Sequence, residues 1–221
     1  MSRGLQLAVY LLAFDTRAQC LQDRTRAGFL VRAAALAELA HRDALAEDGQ
    51  GRVRVLDPET TGDGVLDALL AEVGGAPRTW KAWIRRGRED TLEAVEERLA
   101  ALGVVTMPDR DPYGAVVPRR AVAVRDPREA LDLQRRVAEL VRGDAPLAGA
   151  PFADVVLAVL AAHGHLRLVL SRHDRRARAE RITALTGHLA ERLAGQAPGL
   201  VRAVSGLNLT MVAAQGGMGG G

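Results

Sequence analysis

The sequence is poor in several residue types at once: one cysteine, one lysine, two tryptophans, two tyrosines and three phenylalanines. A lone Cys20 excludes an internal disulfide and a thiolate metal cluster, and it fits a reducing compartment. With aromatics at 3% and hydrophobic residues at 48%, the core must be built from Ala, Leu and Val. Such small and medium side chains pack between closely spaced helices, which predicts a mainly helical fold. Long apolar runs are missing too. The stretch LQLAVYLLAF at residues 5–14 is interrupted by Gln6 and stopped by Asp15, well short of the roughly 20 residues that span a bilayer. Signal-peptide order is absent from the N-terminus, so the expected location is cytoplasmic, at most peripheral to a membrane.

Charge is nearly balanced in number, 30 basic against 27 acidic side chains, yet the pI is about 9.7 because every basic residue except Lys81 is arginine. Residues 1–100 hold 14 basic and 16 acidic side chains, so the excess lies in the C-terminal part. A moderate basic excess is compatible with a phospholipid surface or a nucleic acid and specifies neither.

At 221 residues, one domain is the default, and we place it over residues 1–214 with QGGMGGG at 215–221 as a disordered tail. Residues 25–41 (TRAGFLVRAAALAELAH) repeat apolar side chains at helical spacing. Asp48-Gly49 between two short alternating runs, 44–47 and 52–56, signals a β-hairpin with Val53 and Val55 on one face. A second helix-and-hairpin unit comes next: a helix from about 91 to 102, a strand at 104–107 and a return strand through AVAVRDP. Both return strands end in Asp-Pro, which raises an internal duplication. Asp126-Pro127-Arg128-Glu129 is a helix start with an acidic cap and proline in the first turn. APFADVVLAVLAAHGHLRLVL predicts a central buried helix, or two joined at Gly164, and SRHDRRARAERITALTGHLAERL one amphipathic helix with a basic first half. Helix 200–214 would close the fold. The expected class is mainly α, a compact helical globule around a central bundle with two short β-hairpins.

DPETTGDGVLD at residues 57–67 looks most like a site. A calcium loop would need Glu72 at a shifted position, and a phosphate loop would need a lysine and a hydroxyl after Gly64. Without them, Thr61 or Asp63 caps a helix carrying Val65, Leu66, Leu69, Leu70 and Val73. Catalysis has no support: no serine or cysteine nucleophile motif is present, and His163 and His165 are two apart with no third ligand, so both end a buried helix. No catalytic residue, metal or cofactor is therefore expected. Glu93, Glu96 and Glu97 share a side expected to face solvent. Trp80 and Trp83 sit on one helix face, followed by Arg85, Arg86 and Arg88. Core packing and an indole anchor at a lipid interface both fit that pattern.

Three segments, AELAHRDAL at 37–45, TGDGVLDALL at 61–70 and ERLAALGVV at 97–105, occur in an order that resembles the Golgi phosphoprotein 3 family, including its bacterial members, over about residues 5–193. The resemblance implies a helical globule with a hairpin for self-association and membrane approach. It also implies binding of phosphatidylinositol 4-phosphate by an adaptor without a catalytic step. The family pocket combines an indole and three arginines, and of these only Arg32 is matched. Asp23 stands at the indole position, and Glu93 and Glu96 stand at the later arginines, where they would repel a phosphate by about a kcal/mol each.

The resulting expectation is a cytoplasmic, peripherally membrane-associated adaptor for anionic phospholipid. Arg32 is the best single phosphate contact, with Arg24, Arg26, Arg85 and Arg86 as compensating cations. Tyr113, Val116, Val117, Arg119 and Arg120 form the membrane or self-association hairpin, through which a homo-oligomer could assemble. The alternatives are a soluble protein-interaction module with a protein client, with or without a small-molecule pocket, and a winged-helix-like nucleic-acid binder. Acids on the helix before the second hairpin disfavour the last.

Overall fold

In the computed structural model, which describes residues 4–107, 122–209 and 211, the chain opens with α1 (Leu5–Ala13), nearly every side chain of which is buried. A miniature hairpin of β1 (Phe14–Asp15) and β2 (Cys20–Leu21) returns it to α2 (Arg24–His41). Asp23 caps α2 by accepting from the Arg26 N–H. The alanine-rich surface of α2 lets neighbours close in. Gly28 lies so near α5 (Arg88–Ala101) that an added methyl would stand 3.1 Å from the Arg88 carbonyl oxygen. Phe29, Leu30, Leu36 and Leu39 are fully buried, each stabilising the fold by about 1.5–3 kcal/mol relative to exposure.

The first hairpin forms as the Asp48-Gly49 signal predicts. β3 (Leu45–Glu47) pairs antiparallel with β4 (Arg52–Val55), with Asp48 accepting from the Gln50 and Arg52 N–H groups. The structure adds a third strand, β5 (Arg78–Thr79), on the far side of β4. Between them lies α3 (Gly64–Gly74), whose cap answers the question raised by residues 57–67. Asp63 accepts from the Val65 and Leu66 N–H groups, and Thr61 donates to Asp67. Its loop is a helix cap. After α4 (Trp80–Arg85) and α5, β6 (Val105–Thr106) pairs with β7 (Ala123–Val124), the described base of the second hairpin.

α6 (Pro127–Arg142) starts at the Asp126 cap, α7 (Phe152–His163) is buried along most of its length, and α10 (Pro198–Ser205) is followed, after a turn at Gly206, by helical residues at 207–209. The two return strands lead into their helices differently. Asp126 caps α6 directly, whereas six residues separate Asp57 from α3, so the two units are not equivalent. The single helix expected over 171–193 is two: α8 (Arg172–Ala177) and α9 (Ala179–Arg192), broken at Arg178. Both tryptophans are 1% exposed in one contiguous core with α1, α2 and α7, which settles them as packing residues. The fold is mainly α with short hairpins.

Candidate anion-binding site

Arg32 does not face solvent. It is 2% exposed and its donors are taken: Nε to the Trp83 carbonyl (3.1 Å), Nη1 to Thr91 Oγ1 (2.8 Å) and Nη2 to Glu72 Oε2 (2.6 Å). Gly87, at φ 61°, wraps the pair closely: a methyl there would stand 3.2 Å from Glu72 Oε2 and 3.3 Å from Arg32 Cζ. Burial pulls the Arg32 pKa below its ordinary value and Glu72 opposes that pull. A phosphate would have to displace a carboxylate already paired with a buried guanidinium. The expectation of Arg32 as the leading phosphate contact is therefore corrected: it joins α2 to α3, α4 and α5.

Glu96 is corrected likewise. Only 2% exposed, it faces inward, accepting from Tyr10 Oη (3.1 Å) and from both terminal nitrogens of Arg24 (2.5 and 3.0 Å). Burial, then the Glu96 charge, raises the Tyr10 pKa, so the phenol remains a donor. Arg24, expected as a compensating cation, is committed to this fork. Arg85 and Arg86 are exposed, and Arg86 Nε lies 3.4 Å from Glu72 Oε1, the oxygen that Arg32 does not take. The family-like centre is thus self-neutralised: Glu96 holds Arg24 and Glu72 holds Arg32.

Arginines gather elsewhere, in a cleft of about 580 Å³ between the start of α2, the turn after α7 and α8. Arg26, His165, Arg167, Arg172, Arg175 and Arg176 line it over a floor that includes Leu166. The turn has a definite cause. α7 ends with the Leu166 N–H bonded to Ala161 O and the His165 N–H to Ala162 O, a Schellman closure whose left-handed position (φ 54°) is filled by His165 where glycine is usual. Gly164 disfavours a side chain, since a methyl would stand 2.6 Å from the Leu160 carbonyl oxygen and 2.5 Å from Leu30 Cδ2. Two arginines are clamped by backbone: Arg26 donates to Gly164 O (2.6 Å) and Arg175 to Leu170 O (2.7 Å). Arg167, Arg172 and Arg176 are exposed and, among the described residues, have no hydrogen-bond or ion-pair partner.

Mutual repulsion bears on two of the lining groups, Arg175 and His165. Burial and then the charges of Arg167, Arg172 and Arg26 lower the Arg175 pKa, with Asp174 opposing. Burial, then Arg175 and Arg26, holds the His165 ring neutral below its ordinary pKa. Asp23, the carboxylate lining the cleft, is occupied as the α2 cap and by Arg26 Nε (3.2 Å). Sequence reasoning included Arg26 and noted the basic run at 172–176, but it did not join the run to α2. Nothing in a linear pattern shows that the end of α7 brings them together.

The hairpin residues Tyr113, Val116, Val117, Arg119 and Arg120 lie outside the described residues. Among the described residues no group of three His, Cys, Asp or Glu side chains could hold a metal, and no helix is long and apolar enough to cross a membrane. No curated protein sequence matches the chain significantly. A family model for Golgi phosphoprotein 3 (GPP34) matches residues 5–204, which run from the first residue of α1 almost to the last of α10. The chain belongs to the Golgi phosphoprotein 3 family.

Proposed function

We propose that this chain is a non-enzymatic peripheral adaptor that meets anionic phospholipid through its arginine cleft. The carrying observation is the concentration of five arginines around one cavity whose lining carboxylate is already engaged. Basic residues near an anionic surface each contribute roughly 1 kcal/mol of attraction, screened within about 10 Å at ordinary salt. Family membership supports the same reading. Flotation with phosphatidylcholine vesicles, with and without anionic lipid, tests it. Recovery is expected only with anionic lipid and should fall as salt is raised; equal recovery on both vesicles, or none, overturns the lipid reading.

A second reading, a soluble module that docks a protein client, is favoured by the closed state of the Arg32 centre. In that case the tagged chain retains a stoichiometric partner from native lysate while vesicle flotation stays negative.

A further inference from the structure

We propose that the cleft formed by the start of α2, the 164–168 turn and α8 is a selective site for a multiply charged phosphate group, a phosphomonoester or pyrophosphate. It rests on the reading of that cleft as the anion-binding face and adds the chemistry it selects. Arg172, Arg175 and Arg176 supply the grip, with Arg26 and Arg167 at the flanks.

Four features carry this assignment. First, the donors are prepositioned: backbone carbonyls hold Arg26 and Arg175, so little freedom is lost when an anion arrives. Second, exposed Arg167, Arg172 and Arg176 keep their planar forks available, and a guanidinium fork matches phosphate oxygens two at a time. Third, nearby acids are spent. Asp23 serves Arg26, while Asp174 on α8 turns to Arg142 (2.9 Å) and to Ser171, which holds its carboxyl well below the usual range. Fourth, the positive surface is bounded along the chain: Arg178, the next arginine after Arg176, pairs with Asp144. Four guanidinium groups beyond the Arg26–Asp23 pair exceed what one carboxylate neutralises, and the volume falls within the roughly 300–1,000 Å³ of small-molecule sites.

The lipid head group and the soluble phosphate compound share this chemistry, and separate arms tell them apart. Titrating the full chain with inorganic pyrophosphate, followed by calorimetry, should give saturable binding that weakens about tenfold for each of Arg172→Ala and Arg176→Ala. Both side chains are exposed, and unchanged circular-dichroism melting will confirm that the variants fold. Absent saturation, or affinity indifferent to both substitutions, overturns the inference. In the vesicle arm, phosphatidylinositol 4-phosphate is compared with phosphatidylserine at matched charge. Preference for the former, competed by pyrophosphate, assigns the group to lipid; pyrophosphate binding without flotation assigns it to a soluble compound and removes the membrane reading alone. Equal flotation on both lipids without pyrophosphate binding removes the phosphate inference and leaves a purely electrostatic membrane contact.

Discussion

Single residues decide most of the chemistry here, and their roles depend on partners far away in sequence. Arg32 reads as a functional cation until Glu72, forty positions on, is seen beneath it; no periodicity links the two. Replacing Arg32 with Met should lower stability by about 2–4 kcal/mol, measured by urea unfolding, because Thr91 and the Trp83 carbonyl lose their donor. A purely ligand-binding arginine would show little loss. His163, which Thr186 meets at 3.1 Å, has its pKa lowered by burial. A depressed histidine pKa means that the unfolded chain takes up the proton first, so stability falls as pH drops below the ordinary value near 6.5. Melting at pH 7.5 and 5.5 should differ less in His163→Asn than in the parent, over this interval. His165→Gly is expected to melt no lower than the parent, since glycine relieves the left-handed position, and to bind anions no better.

At the scale of elements, caps and hairpins were the legible part. Asp23, Asp63 and Asp126 each accept first-turn N–H groups, and the last two stand where the short acidic side chain before an apolar run predicts. Two-residue strands such as β1, β2 and β5 carry too little alternation to be read, and the break between α8 and α9 at Arg178 has no proline or glycine to announce it. The first hairpin and α10 are joined by Glu47, which accepts from Trp80 Nε1 (2.9 Å), Gly199 N (2.6 Å) and Arg202 (3.2 Å). A methyl on Gly199 would collide with Glu47 Oε2 and stand 2.8 Å from Trp80 Cδ1. Gly199→Ala should therefore cost about 1–3 kcal/mol in chemical denaturation although the position lies in a helix, where alanine is ordinarily the better residue. A gain in stability would show that α10 is not seated on the hairpin in this way.

For the whole molecule, composition predicted the helical class because a core of Ala, Leu and Val favours close helix packing, and the order of its motifs pointed to the family. The site was only half visible. Sequence located the basic excess in the C-terminal part, but folding sorts arginines into those neutralised by acids and those left facing a cleft, a division no count of charges contains.

Vesicle flotation with charge-matched variants tests that division most directly. Arg172→Glu with Arg176→Glu alters the cleft, and Arg85→Glu with Arg86→Glu changes net charge equally at exposed positions that do not line it. The account predicts that anionic vesicles recover the second variant nearly as well as the parent and lose the first. Equal losses from both, or undiminished flotation of the cleft variant, would contradict it.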